Sequence, residues 1–169
     1  VATAVVVQRS DEAQGAHFNI QSTRCATQFS NNIRNNSGFL RRAHGQMEDR
    51  RDMQFMQNGR KVFKEVLPMV SAHILGHLHD TGWQADDLRR LWLHQANKTM
   101  NDFIGKKVLG RVPETGEQPN ILQDYANTSS AGSIIAFSQN SDDMTVGDRG
   151  VICSFGAGYS VGSVLIERA

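Results

Sequence analysis

The sequence predicts an α/β fold, and three observations support this class. Apolar residues recur at three- and four-residue spacing through residues 53–79, which indicates a long amphipathic helix. Residues 91–93 are typical of a short buried strand, and residues 151–155 and 160–167 of two closing strands. At 169 residues the chain is long enough for one domain with an adequate core.

The start of the chain is predicted to hold two strands and a long insertion. Residues 2–8 are apolar on both faces, which favours a strand with neighbours on both sides. Residues 17–20 alternate polar and apolar, so we expect the two strands to form a hairpin. Because the chain begins with a strand already under way, we expect it to be a piece of a longer protein. Residues 22–54 form a polar, basic insertion, which is more typical of a lid or interface arm than of a plain connector.

The remaining pattern alternates helices with short extended pieces. Gly82 is expected to end the long helix. The pattern then predicts a short helix opened by Asp86 and Asp87, followed by the buried strand. After the strand it predicts a helix at 98–109, a loop at 113–119 and an extended piece at 121–122. The last predicted helix covers residues 130–137, and Thr128, Ser129 or Ser130 could cap it.

Charge is distributed unevenly, although the net charge is only +1. Between residues 20 and 64, nine basic residues stand against three acidic ones. Such a segment favours an anionic partner, such as a phosphate, a coenzyme tail or an acidic protein, but arginines paired with nearby carboxylates explain it equally well. Nucleic-acid binding ranks far behind, because no aromatic residues are interleaved with the arginines. No apolar run approaches the roughly 18 residues of a membrane span.

Neither the cysteines nor the helical histidines predict a metal site. Cys25 and Cys153 suggest no disulfide framework, and Cys153 is expected to pack as a small hydrophobe within an apolar run. This usage favours a reduced, cytoplasmic setting. His73 and His77 lie four residues apart on the long helix with no carboxylate or cysteine beside them, so we expect a surface face.

Three clusters carry the candidate chemistry. Residues 94–97, His-Gln-Ala-Asn, follow the buried strand, where a histidine has a fixed backbone behind it. Asn127 opens the second cluster, Asn-Thr-Ser-Ser, and residues 155–158, Phe-Gly-Ala-Gly, connect the closing strands. Alone, each has a plainer interpretation: a solvated loop histidine, a turn-capping asparagine and a tight strand connection.

Taken in this order and spacing, the clusters resemble the C-terminal half of β-ketoacyl-acyl-carrier-protein synthase III, in the thiolase superfamily. The run from Asn58 and Gly59 to Val62-Phe63-Lys64 is similar to a helix start in that family. The resemblance covers residues 1–20 and residue 55 to the end of the chain. It implies a thiolase-like, layered α-β-α-β-α fold, of which this chain is the C-terminal half, usually in a homodimer.

The resemblance also implies an acyltransferase with a Cys-His-Asn active site. His94 and Asn127 match the histidine and the asparagine, whereas the nucleophilic cysteine belongs to an N-terminal half that this chain lacks. The backbone N–H of Ala157 would contribute to an oxyanion hole. The other implied residues line the acyl pocket (Phe155, Gly156 and Gly158) or the pantetheine and coenzyme A channel (Gly59, Ala96 and Asn97).

The implied reaction is a decarboxylative Claisen condensation of an acyl-cysteine with a malonyl thioester. Decarboxylation leaves an enolate that needs hydrogen-bond donors held ready, and a neutral imidazole and a carboxamide supply them. No cofactor is expected, and the substrates would be carried on coenzyme A or on the phosphopantetheine of acyl-carrier protein. The alternative is a non-catalytic subunit of the same fold that supports a catalytic partner, but retention of both donors favours the enzyme.

Two positions depart from the family pattern. Ala126 stands where a glycine usually precedes the asparagine, and Thr99 stands where the family has an arginine that contacts the carrier protein. The sequence therefore does not distinguish coenzyme A from acyl-carrier protein as the carrier of the substrates.

Overall fold

A computed structural model of the chain describes residues 1–38 and 49–169. Two short 3-10 turns lie at Arg50–Met53 and Ala85–Asp87. In chain order the other elements are β1 (Phe18–Thr27), β2 (Ile33–Arg34), β3 (Met56–Gln57), α1 (Gly59–Thr81), β4 (Leu88–Leu93), α2 (Lys98–Leu109), α3 (Leu122–Tyr125), α4 (Ala131–Gln139), β5 (Arg149–Gly156) and β6 (Ser160–Arg168).

The main sheet is mixed and has the spatial order β1-β6-β5-β4. β6 pairs antiparallel with both β1 and β5, whereas β4 and β5 run parallel. Successive side chains of a strand point to opposite faces. Leu91 and Leu93 therefore join one hydrophobic cluster, while Trp92 joins another on the opposite face.

Helices cover both faces of this sheet. α1 and α2 supply the apolar side chains that pack with Leu91 and Leu93, and α4 contributes Ala136 and Phe137 beside Trp92. The rings of Trp92 and Phe137 meet edge to face with centroids 5.0 Å apart. The resulting helix–sheet–helix arrangement confirms the predicted α/β class.

The two longest helices begin and end at capping residues. α1 begins at Gly59 rather than at residue 53, because the side chain of Asn58 accepts an amide of the first turn. Gly82 ends α1 in the left-handed conformation, as predicted. The side chain of Asn97 caps α2 in the same way.

Three shorter elements differ from their predictions. Residues 85–87 form a 3-10 turn, not the start of an α-helix. Residues 122–125 form one helical turn instead of the extended piece predicted at 121–122, because the Ile121 carbonyl accepts two amides of that turn. α4 begins after Ser130 without a side-chain cap, since Ser130 is itself helical in backbone conformation and lacks the extended geometry of a capping residue.

Residues 2–8 form no strand, so the predicted hairpin with residues 17–20 is wrong. Val1 and Val6 are almost fully exposed, and β1 pairs instead with β6 at the other end of the chain. An apolar run needs neighbouring strands on both sides. None of the described residues pairs with residues 2–8, so composition alone did not produce a strand there.

The segment 22–54 is more ordered at its start than predicted. β1 continues to Thr27, and β2 pairs antiparallel with β3. Arg24 forms an ion pair with Asp80 of α1 at 2.8 Å, so at least this arginine is neutralised within the chain. Residues 39–48, which include Arg41 and Arg42, lie outside the described residues. A lid role for the segment stays a prediction.

His73 and His77 are buried, which contradicts the predicted surface face. They are 6% and 2% exposed, respectively. Hydrogen bonds of 2.9 and 2.7 Å join their rings to the hydroxyl of Ser163, and His77 also reaches the hydroxyl of Ser22 at 2.9 Å. The helical spacing does put both histidines on one face. Their serine partners, however, lie on β6 and β1, far away in the sequence.

The other composition-based expectations concern cysteine packing and membranes. Cys153 is fully buried within the main cluster, as predicted, and Cys25 is exposed on β1. None of the helices in the described ranges combines the length and hydrophobicity that crossing a bilayer requires.

Candidate active site

His94 follows β4 directly and is held at the carboxyl end of that strand. Its amide donates to the carbonyl of Cys153 at 2.7 Å, which continues the pairing of β4 with β5. Its ring is 8% exposed and meets the ring of Phe155 edge to face, with centroids 4.9 Å apart. Because parallel strands end at the same edge of a sheet, two of the three predicted clusters meet here.

The imidazole of His94 lies in a setting that favours its neutral form. Burial lowers the pKa of His94 below its usual range, and the nearby backbone of Ser129 opposes part of that shift. Nδ1 is buried and has no hydrogen-bond partner within the described residues. A neutral imidazole donates one N–H without carrying a charge of its own.

Asn127 lies in the loop that reaches this imidazole. Its side-chain oxygen accepts the amide of Ser129 at 3.0 Å, which is the plain turn-capping role considered above. The backbone of the same Ser129 acts on the imidazole of His94. Ser129 therefore links the second cluster to the first. Asn127 is exposed, and since its oxygen is engaged, its amide N–H groups are the ones it can offer to a ligand.

Two residues flanking Asn127 adopt a backbone conformation that favours glycine. φ is +55° at Ala126, where the family pattern has glycine, and +58° at Ser129. Such positions cost on the order of 1–3 kcal/mol each, and they cluster at functional sites. The loop leads into α4, which packs closely against Gln95: an added Cβ at Gly132 would lie only 3.0 Å from the Cβ of Gln95.

Gln95 supports the site in a way that sequence reasoning did not foresee. Its amide donates to the carbonyls of Leu93 and Pro119 at 2.9 and 3.3 Å, and its oxygen accepts the Ile121 amide at 3.1 Å. The side chain is fully buried and fully bonded. Gln95 thus fastens the loop at 119–121, which leads to Asn127, to the end of β4. The only sequence feature that could have indicated this role is the position of Gln95 between His94 and Asn97.

The glycine turn leaves β5 next to Phe155. Gly158 has φ +137°, and an added Cβ would lie 2.6 Å from the hydroxyl of Ser160, so only glycine fits. A Cβ at Gly156 would meet nothing within 4 Å in this chain. Ala157 is exposed at the tip of the turn.

The predicted channel residues divide between two places. Ala96 is half-buried against the core beside His94, and the oxygen of Asn97 is engaged in capping α2. Gly59 opens α1 and borders a separate cavity. That cavity measures about 390 Å³ and is lined by Arg34, Met56, Gln57, Asn58 and Gly59.

No metal centre competes with this interpretation in the parts of the chain that the structure describes. Nowhere there do three or more His, Cys, Asp or Glu side chains gather as metal ligation would require. The buried pair His73 and His77 bonds to serine hydroxyls instead.

Comparison with known proteins gives a family match and close relatives. The family profile described as 3-oxoacyl-[acyl-carrier-protein (ACP)] synthase III C terminal matches residues 78–168. A β-ketodecanoyl-[acyl-carrier-protein] synthase of Pseudomonas aeruginosa is 54% identical over 167 residues, a match that covers 98% of this chain and 48% of that protein.

Solved structures of 3-oxoacyl-(acyl carrier protein) synthase III have a similar fold. The crystal structure of 3-oxoacyl-(acyl carrier protein) synthase III from Pseudomonas aeruginosa PAO1 gives a TM-score of 0.72 at 22% identity, covering 95% of this chain and 46% of that one. The corresponding structure from Aquifex aeolicus gives 0.73 at 21% identity, with 94% and 46% covered. At these identities the likeness establishes the fold, a mixed α/β thiolase-like fold that matches the C-terminal half of those proteins. The chain spans about half the length of the relatives it matches.

Proposed function

Because this chain belongs to the 3-oxoacyl-[acyl-carrier-protein] synthase III family, as a C-terminal half, we propose that it supplies His94 and Asn127 to a decarboxylating acyltransferase. The nucleophilic cysteine comes from an N-terminal half. Cys153 is unsuited to that role because burial raises its pKa to about 12, and Cys25 lies on the edge strand β1. The complete assembly would join the two halves and pair with a second copy.

The proposed reaction has two half-reactions. In the first, the cysteine thiolate attacks an acyl thioester, the new C–S bond forms, and the carrier thiolate leaves. In the second, the bond between the malonyl carboxylate and the methylene carbon breaks, CO₂ departs, and the electron pair forms an enolate. The enolate carbon then attacks the acyl-cysteine carbonyl and expels the cysteine thiolate, which gives the β-ketoacyl product.

His94 and Asn127 act in the second half-reaction as donors to the enolate oxygen. The observation that carries this proposal is the link through Ser129, whose amide orients Asn127 and whose backbone lies against the imidazole of His94. The lowered pKa of His94 suits the role, since it keeps the ring neutral at ordinary pH. A neutral ring has one N–H group that can donate a hydrogen bond. An aspartate at either position would repel the enolate.

The acyl group is proposed to have eight carbons. The relative that is 54% identical is named for a β-ketodecanoyl product, and a malonyl unit contributes two carbons after CO₂ is lost. An eight-carbon acyl thioester would then be the first substrate. Coenzyme A and acyl-carrier protein both fit as carriers.

The test uses the full-length protein with octanoyl and malonyl thioesters, and it measures CO₂ release and acylation of the cysteine separately. We expect His94→Ala and Asn127→Ala to slow malonyl decarboxylation by about a hundredfold or more, because each removes one donor to the developing charge. Acylation should fall far less.

Asn120→Ala is the matched control for Asn127. Its side-chain oxygen also accepts an amide two residues ahead, at 3.0 Å, but outside the three clusters. It should leave both half-reactions within about twofold. Near-normal decarboxylation in the His94 or Asn127 variant would remove the donor role. A wild-type protein that performs neither half-reaction, yet is required by a catalytic partner, would instead support the alternative of a non-catalytic subunit.

A further inference from the structure

Tyr159, the residue directly after the glycine turn, is anchored at its hydroxyl by residues from two other elements. The side chain is 1% exposed. Its hydroxyl donates to Glu65 of α1 at 2.8 Å and accepts the amide of Asn32 at 3.0 Å. The same Asn32 amide nitrogen donates to Glu65 at 2.9 Å, which closes a triangle of hydrogen bonds. Any buried tyrosine hydroxyl needs hydrogen-bond partners. Here the two partners, Asn32 and Glu65, also bond to each other.

The segment that carries Asn32 also holds the backbone of the turn. The amide of Gln28 donates to the carbonyl of Tyr159 at 2.8 Å, and the amide of Ser30 donates to the carbonyl of Gly158 at 2.6 Å. Two consecutive carbonyls at the end of the turn are therefore fixed from one side. The exposed tip at Ala157 is left uncovered by these contacts.

Asn32 further connects the turn to the start of α1. Its carbonyl accepts the amide of Asn58 at 2.8 Å, and Asn58 caps the helix that Gly59 opens. One partly exposed asparagine thus joins the turn that bears Ala157 to the helix start that borders the cavity at Gly59. These are two parts of the proposed site that no other contact described above connects.

We propose that Asn32, Glu65 and Tyr159 form a clamp that sets the position of the 156–158 turn, and that Asn32 and Tyr159 are positioning residues for acyl transfer to the cysteine. The proposal rests on the proposed function and on the oxyanion-hole role that the family resemblance implies for the backbone N–H of Ala157 in that step. Oxyanion donors act only when they are held in place before charge develops. The clamp therefore matters for acylation and much less for decarboxylation, which depends on His94 and Asn127.

The experiment measures the two half-reactions separately in the full-length protein, with octanoyl and malonyl thioesters. Tyr159→Phe keeps the ring and removes only the hydroxyl. We expect it to slow acylation about tenfold through kcat, with KM nearly unchanged, and to leave decarboxylation within about twofold. Asn32→Ala should give the same split. The double variant should be no slower than the slower single one, because both remove the same clamp.

Two further variants separate positioning from general stability. Glu65→Gln keeps an acceptor oxygen for Tyr159 and should leave acylation near normal, whereas Glu65→Ala should slow it. Glu167→Gln is the matched control, since Glu167 accepts from Arg149 at 2.8 Å at the opposite end of the same pair of strands. It should lower Tm without changing the ratio of the two rates.

Equal slowing of both half-reactions by Tyr159→Phe or Asn32→Ala would overturn the clamp's role and leave a merely structural network. Unchanged acylation in both variants would overturn it as well. Failure of the proposed function has a different signature, namely a wild-type protein that catalyses neither half-reaction.

Discussion

Two groups of buried histidines in this chain differ in their hydrogen bonding. His73 and His77 bond to the hydroxyls of Ser163 and Ser22, whereas Nδ1 of His94 has no partner among the described residues. Leaving a buried polar group unpaired costs about 1–3 kcal/mol. Burial lowers the pKa of all three histidines. Burial is therefore common to all three histidines, and His94 differs from the other two in having an Nδ1 without a partner among the described residues.

The largest expected difference between the two groups is in stability. His77→Ala should lower the free energy of unfolding by about 2–3 kcal/mol, because Ser163 and Ser22 both lose a buried partner. His94→Ala should cost only about 1 kcal/mol, since no hydrogen bond of Nδ1 is lost. Urea denaturation of the full-length protein, followed by tryptophan fluorescence, measures both.

His79→Ala is the matched control on the same helix, because the side chain of His79 is 89% exposed. It should change the free energy of unfolding by no more than about 0.5 kcal/mol. Equal losses at positions 77 and 94 would break the distinction between the two groups.

A smaller effect is expected from acid. Burial, and then the charge of Arg24, lower the pKa of His73; burial, His73 and Arg24 lower that of His77, with Asp80 opposing. Below the ordinary value of 6.5, the unfolded chain binds protons that the folded chain does not. Stability should therefore rise with pH up to about 6.5 and then level off, with at most about 1.4 kcal/mol per pH unit for each histidine.

Unfolding measured between about pH 5.5 and 7.5 tests this slope. The double variant His73→Gln, His77→Gln should flatten it more than His94→Gln, which removes one titrating group instead of two. A slope that is unchanged in the double variant would assign the acid sensitivity to other groups.

The smallest expected effect concerns the strained loop beside His94. Ala126→Gly should raise the free energy of unfolding by about 0.5–1 kcal/mol, because relief of the positive φ exceeds the entropy cost of glycine. Ala131→Gly, in the first turn of α4, should instead lower it by about 0.5–1 kcal/mol. Thermal unfolding of both variants decides, and destabilisation by Ala126→Gly would show that the loop carries no strain there.

Local signals predicted the parts of this fold that local chemistry determines. Gly82 ends α1 because only a residue tolerant of positive φ fits there. The buried strand before His94 and the packing of Cys153 follow from short apolar runs. The glycine turn was also placed correctly between two strands.

Long-range partners account for what the sequence did not predict. His77 pairs with a serine 86 residues away, and Asn32 with a tyrosine 127 residues away, so no periodicity connects them. The strand predicted at residues 2–8 is wrong for a related reason. Its apolar pattern needs neighbouring strands, and the described chain provides none there. Gln95 belongs to the His-Gln-Ala-Asn motif, but its buried hydrogen bonds to Pro119 and Ile121 are formed only in the folded structure.

The pairing of β1 with β6 has a consequence for biosynthesis. Phe18 faces Arg168 across this ladder, so within the described sheet the earliest strand depends on the last one. During translation β1 therefore keeps an open edge until β6 has also left the ribosome. Such late, non-local closure is slow and exposes the nascent chain to aggregation. Removing only the last few residues of β6 should for this reason impair folding far more than the length of the deletion suggests.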